Sequence, residues 1–165
     1  MAVRRSLRRW ELGGFFFVCA AGVLLWLGRG VFPAALSGTG DTVWEAMKRL
    51  YLPFFLFSAG ELYVFLNPYR NFFAAKAAAA LAGLLTLPLL RYTLSGVFGA
   101  LPPWSGPALF ALAAAALFLT GERLLNGFAL RGGPWQLLGL LVLLALLAAF
   151  VLSAWYVPEL PLFRG

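Results

Sequence analysis

The sequence has no histidine and a single cysteine, Cys19. Without histidine the chain lacks the commonest metal ligand and the commonest general base near neutral pH. One cysteine excludes an intrachain disulfide and leaves the redox compartment undetermined. Charge is scarce as well. Charged residues make up 12% of the chain, against roughly 25% in an ordinary soluble domain. So few polar side chains cannot cover a surface facing water, and lipid must cover much of it. Acids are the scarcer sign, six Asp and Glu against thirteen Lys and Arg, for a net charge of +7. In a soluble chain that balance would raise nucleic acid as a partner. Here the basic residues stand at the ends of apolar runs, where they anchor to headgroups and set topology. No basic patch with interleaved polar residues exists, so nucleic acid is set aside.

Apolar sequence fills the space left by charge: 62% of residues are hydrophobic and the mean hydropathy is +0.88. A membrane span needs roughly 20 mostly apolar residues. The 165 residues therefore hold at most five or six spans with short loops and no separate soluble domain. We expect an all-α, polytopic membrane helix bundle of about five transmembrane helices, a single integral membrane domain over residues 1–165.

The first span is expected over residues 12–32, after Arg4, Arg5, Arg8, Arg9, Trp10 and Glu11. A basic start before an apolar run is also the pattern of a signal peptide. This run is longer than a signal core and is read as a retained span. The second span is expected over 44–66. Thr42 and Glu45 have the spacing of a capping box at its start, and Pro53 is expected to kink it. The third is expected over 72–94, with small residues from Ala74 to Gly83. Small faces let helix backbones approach closely in lipid, so this helix is expected at the centre of the bundle. The fourth and fifth are expected over 108–130 and 135–157. The last carries no charge, and Asn126 reads as a cap near the turn before it.

Placing the N-terminus in the cytoplasm puts Arg4, Arg5, Arg8, Arg9, Arg70, Lys76, Arg123 and Arg131 inside. Arg29, Lys48, Arg49, Arg91 and Arg164 fall outside. Eight against five follows the positive-inside bias. The expected location is the cytoplasmic membrane, multi-pass.

An ionisable residue at the centre of a span costs roughly 2.5–3.5 kcal/mol on insertion scales, so such residues face partners or mark function. Two polar layers emerge from residues equidistant from the turns. Glu61 and Lys76 lie eight and seven residues from Tyr69, and Glu122 and Arg123 lie a similar distance from the next inner turn. Glu61, Lys76, Glu122 and Arg123 are thus candidates for one inner layer. It reads either as a neutral cluster holding three helices together, with Lys76 and Arg123 reaching toward headgroups, or as an ion or proton pathway. The outer layer gathers Asp41, Glu45, Lys48, Arg91 and Tyr92, with Arg29 and Arg49 at similar depth. A helix N-terminus beside cationic side chains suits a phosphate, carboxylate or lipid headgroup. Ordinary capping with a Glu45–Arg91 pair accounts for the same residues.

Several pieces carry a resemblance. They are Gly40-Asp41-Thr42-Val43-Trp44-Glu45-Ala46-Met47-Lys48-Arg49-Leu50 with Pro53, Asn71-Phe72-Phe73-Ala74-Ala75-Lys76, and Arg91 to Gly99. The tail from Tyr156 to Phe163 is a fourth. Together they resemble a family of small bacterial polytopic membrane proteins with a W-E-x-x-K segment and no assigned activity. The resemblance implies architecture and adds weight to Trp44, Glu45, Lys48, Asn71, Lys76 and Tyr92. Ala46 stands where that family has histidine, and Arg91 where it often has Tyr or Phe. Chemistry relying on that histidine has no support here.

Three classes of function remain. One is a small transport or permeation protein, or an accessory subunit of one. Another is a structural, assembly or lipid-interaction module without chemistry, in contact with the bilayer, with anionic lipid or a small anion at the outer layer, and with a homo-oligomeric or other membrane partner. A lipid-modifying enzyme is the third. The sequence leans away from it, because it offers no metal-ligand cluster and no Ser-His arrangement. No cofactor is expected.

Overall fold

The computed structural model describes residues 2–28, 42–65, 70–102, 104–127 and 130–153. These form five α-helices and no strand: α1 (Ala2–Leu27), α2 (Val43–Phe65), α3 (Phe72–Phe98), α4 (Ser105–Asn126) and α5 (Gly133–Leu152). Four of them, Arg8–Leu27 within α1 and the whole of α3, α4 and α5, are long and apolar enough to cross a membrane. α2 has 23 residues, and its Glu45, Lys48, Arg49 and Glu61 keep it below that hydropathy. Large apolar side chains are exposed on every helix, among them Phe16, Leu24, Leu56, Leu85, Leu112 and Leu141. A soluble monomer does not leave so continuous an apolar surface open to water. The protein is a multi-pass helical membrane protein.

The helices run alternately up and down. Glu11 near the start of α1 meets Lys76 near the start of α3. Trp44 at the start of α2 meets Ser153 just after α5. α3 is central: it packs against α4, α5 and α2, while α1 packs on α2 and α4. Its small residues allow this. Ala74, Ala75, Ala77, Ala79, Ala80 and Gly83 are all buried. A β-carbon on Gly83 would come within 2.7 Å of the Leu117 Cβ and 3.1 Å of the Ala113 carbonyl on α4. On the other flank of α3, Gly139 of α5 lies against the backbone of Phe73 and Ala74. Backbones this close maximise van der Waals contact, the main force between helices in lipid.

The ends of the helices differ from the sequence expectation for identifiable reasons. α1 starts at Ala2, so the arginine-rich segment is itself helical. α3 runs on to Phe98 and stops at Gly99, whose φ of 72° is the left-handed conformation that favours glycine. α4 starts at Ser105 and ends at Asn126, where the Asn126 side chain donates to the Glu122 carbonyl. At the start of α2 the Glu45 N–H donates to the Thr42 hydroxyl at 3.3 Å, one half of a capping box. Pro53 lies within continuous helix.

Candidate functional site

Among the described residues, a buried polar cluster sits at the end where α1 and α3 begin and α2 finishes. Lys76, the fifth residue of α3, is completely buried. Its Nζ lies 2.7 Å from Glu11 Oε1 on α1 and 2.7 Å from Glu61 Oε2 on α2. The contact to Glu11 is a hydrogen bond. The contact to Glu61 has ion-pair distance without hydrogen-bond direction. Glu11 is 3% exposed and Glu61 0%. The ammonium also stands 5.8 Å from the ring centres of Phe54 and Phe72, within cation–π range. One lysine thus clasps three helices.

The local sequence explains why Lys76 is there. It is flanked by alanines, so its long stem has room beside the neighbouring helices, and the Phe54 and Phe72 rings close over the ammonium. Burying an ion costs several kcal/mol, which attraction repays only with good geometry. Here two carboxylates contribute.

Of the four inner-layer candidates, Glu61 and Lys76 are in contact, Glu122 stands partly buried at the edge, and Arg123 is exposed. Arg123 falls outside the cluster because Gly121 and Leu125, four residues apart, turn the buried side of α4 inward. Arg123 lies halfway between them in sequence, roughly opposite on the helix. The second acid on Lys76 is Glu11, which sequence reasoning had grouped with the basic flank. A depth argument could have found it, since the start of the first span and the start of the third share a level.

Ties between backbone and side chain fix this end further. Asn71 Nδ2 donates to the Leu124 carbonyl at 2.6 Å, holding the start of α3 to the end of α4. Gln136 on α5 accepts from the Phe73 N–H at 3.0 Å and donates to the Leu130 carbonyl at 2.6 Å. Gln136 was not singled out from the sequence; it is the one polar side chain within an otherwise apolar fifth helix. Around this end Arg8, Arg9, Arg70, Arg123 and Arg131 are exposed.

The outer-layer candidates are differently placed. Asp41 lies outside the described residues. Lys48 and Arg49 are buried, at 3% and 5% exposure, while Glu45 and Arg91 are partly exposed and Tyr92 is half exposed. Arg49 Nε donates to the Glu45 carbonyl at 3.2 Å. At the same end Trp44 Nε1 donates to Ser153 Oγ at 2.9 Å, and the Trp44 and Phe150 rings lie 4.7 Å apart. Two turns deeper in α2, Tyr51 donates to the Leu143 carbonyl. These contacts bind α2 to α5. Among the described residues no group of His, Cys, Asp and Glu is arranged to hold a metal ion.

Compared with models of known protein families, with curated proteins and with solved structures, the chain matches none.

Proposed function

We propose that the chain is a small assembly and lipid-contact module of the bacterial cytoplasmic membrane, working without catalysis and kin to the W-E-x-x-K family it resembles. The observation that carries this reading is the Lys76 clasp, which joins α1, α2 and α3 through charges sealed from solvent. A charge held this tightly between three helices fixes their arrangement. The exposed arginines at the same end suit the anionic headgroups of a cytoplasmic leaflet, and the apolar α5 leaves a broad face for lipid or for another membrane helix. Reconstitution into liposomes containing a pH-sensitive dye, under an imposed membrane potential, tests the reading. Proton entry no faster than in empty liposomes is expected. Entry that Glu61→Gln abolishes would overturn it.

One observation favours permeation as the second reading. Glu11 Oε2 and both oxygens of Glu61 are buried without a hydrogen-bond donor, as in a site that takes up a proton or passes one on. The liposome experiment separates the two.

A further inference from the structure

We propose that the clasp is a proton-binding site: one proton is held on one of the two carboxylates, Glu11 or Glu61, bringing the cluster with Lys76 to zero charge. The inference builds on the clasp as a structural element and assigns it a ligand.

The first support is the balance of charge. One ammonium faces two carboxylates at 2.7 Å each. Among the described residues the packed elements supply no second cation beside the clasp. From α1 the facing group is Glu11, with Arg8 and Arg9 exposed beyond it; from α2 it is Glu61; from α3, Lys76. On α4 the nearest acid in sequence to the buried face is Glu122, partly buried, while Arg123 is exposed. α5 has no charged residue. Two carboxylates in one dry site do not both stay ionised readily, and an unpaired buried charge is neutralised rather than tolerated.

The second support is the balance of donors and acceptors. Lys76 brings three N–H groups. One donates to Glu11, while Glu61 Oε2 lies 2.7 Å from the same nitrogen without a hydrogen bond. Glu11 Oε2 and both oxygens of Glu61 remain without a hydrogen bond, and so does the hydroxyl of Ser58, three residues before Glu61 on the same side of α2 and 5% exposed. A proton on one carboxylate forms an O–H bond, changes the formal charge of the Glu11–Lys76–Glu61 cluster from −1 to zero, and supplies a missing donor. A metal cation would fit poorly, because the ammonium already occupies the space between the two carboxylates.

Infrared spectroscopy of the full chain in detergent at neutral pH tests this. The C=O stretch of a protonated carboxylic acid is expected in the wild type, shifted in D2O. It should be lost in Glu11→Gln or Glu61→Gln and kept in Glu122→Gln. Where a Gln variant fails to fold, Glu11→Asp and Glu61→Asp keep a carboxyl group, and at least one of them must shift the band. No acid band in the wild type, a band removed only by Glu122→Gln, or one that ignores every substitution at Glu11 and Glu61 overturns the proton. A stabilising clasp with no acid band would leave the structural role standing and remove the proton alone.

Discussion

Gly139 and Ala74 touch through their backbones: a β-carbon on Gly139 would stand 2.5 Å from the Ala74 nitrogen. Such contacts do not occur, so any side chain at 139 must push α5 away from α3. Gly139→Ala is expected to destabilise the bundle by about 1–3 kcal/mol, the usual range for overpacking. Gly60 on α2 faces open space, and Gly60→Ala is expected to be neutral or to stabilise by up to ~1 kcal/mol. Thermal unfolding in detergent compares the two. Equal midpoints would contradict the close packing of α3 on α5.

Asn71 closes the start of α3 onto the end of α4. Asn71→Ala leaves the Leu124 carbonyl only its backbone donor from Gly127, and a loss of about 0.5–1.5 kcal/mol is expected. Hydrogen exchange should rise at the last turn of α4 and the first turn of α3, with the outer end unchanged. A uniform rise along both helices would mean that the bond is not a local tie.

Tyr51 reaches across to the Leu143 carbonyl on α5. In Tyr51→Phe the ring still packs against Phe150, 5.3 Å away in the wild type, and only the hydroxyl is lost. The expected cost is about 0.5–1.5 kcal/mol, measured by unfolding in detergent. A cost several times larger would show that the hydroxyl does more than this one bond.

The arrangement of exposed arginines predicts a topology. With Cys19 replaced by serine, a cysteine at Arg70 is expected to react with a membrane-impermeant thiol reagent only from the cytoplasmic side. A cysteine at Ala100 should react only from the opposite side. The reverse pattern would invert the bundle.

Much of the fold was legible in the sequence because lipid imposes a simple rule: long apolar runs must be helices. The small residues from Ala74 to Gly83 marked α3 as the central helix, since only such a face admits neighbours on several sides. The depth argument brought Glu61 to Lys76 because an antiparallel hairpin pairs residues equidistant from its turn. What sequence could not show was rotation about each helix axis. That is why Arg123 was grouped with residues it does not face, and why Glu11 and Gln136 were passed over. Helices run beyond the expected spans, as α1 does back to Ala2 and α3 on to Phe98, because hydropathy marks the hydrocarbon and not the helix.

The clasp of Lys76 is the central claim, and unfolding of a short series of variants tests it most directly. Lys76→Met leaves two acids buried with no counter-charge, and a loss of about 3–5 kcal/mol is expected. Adding Glu11→Gln and Glu61→Gln to Lys76→Met removes the stranded carboxylates and should restore most of that stability. Lys76→Met as stable as the wild type, or a triple variant no better than Lys76→Met alone, would contradict the account.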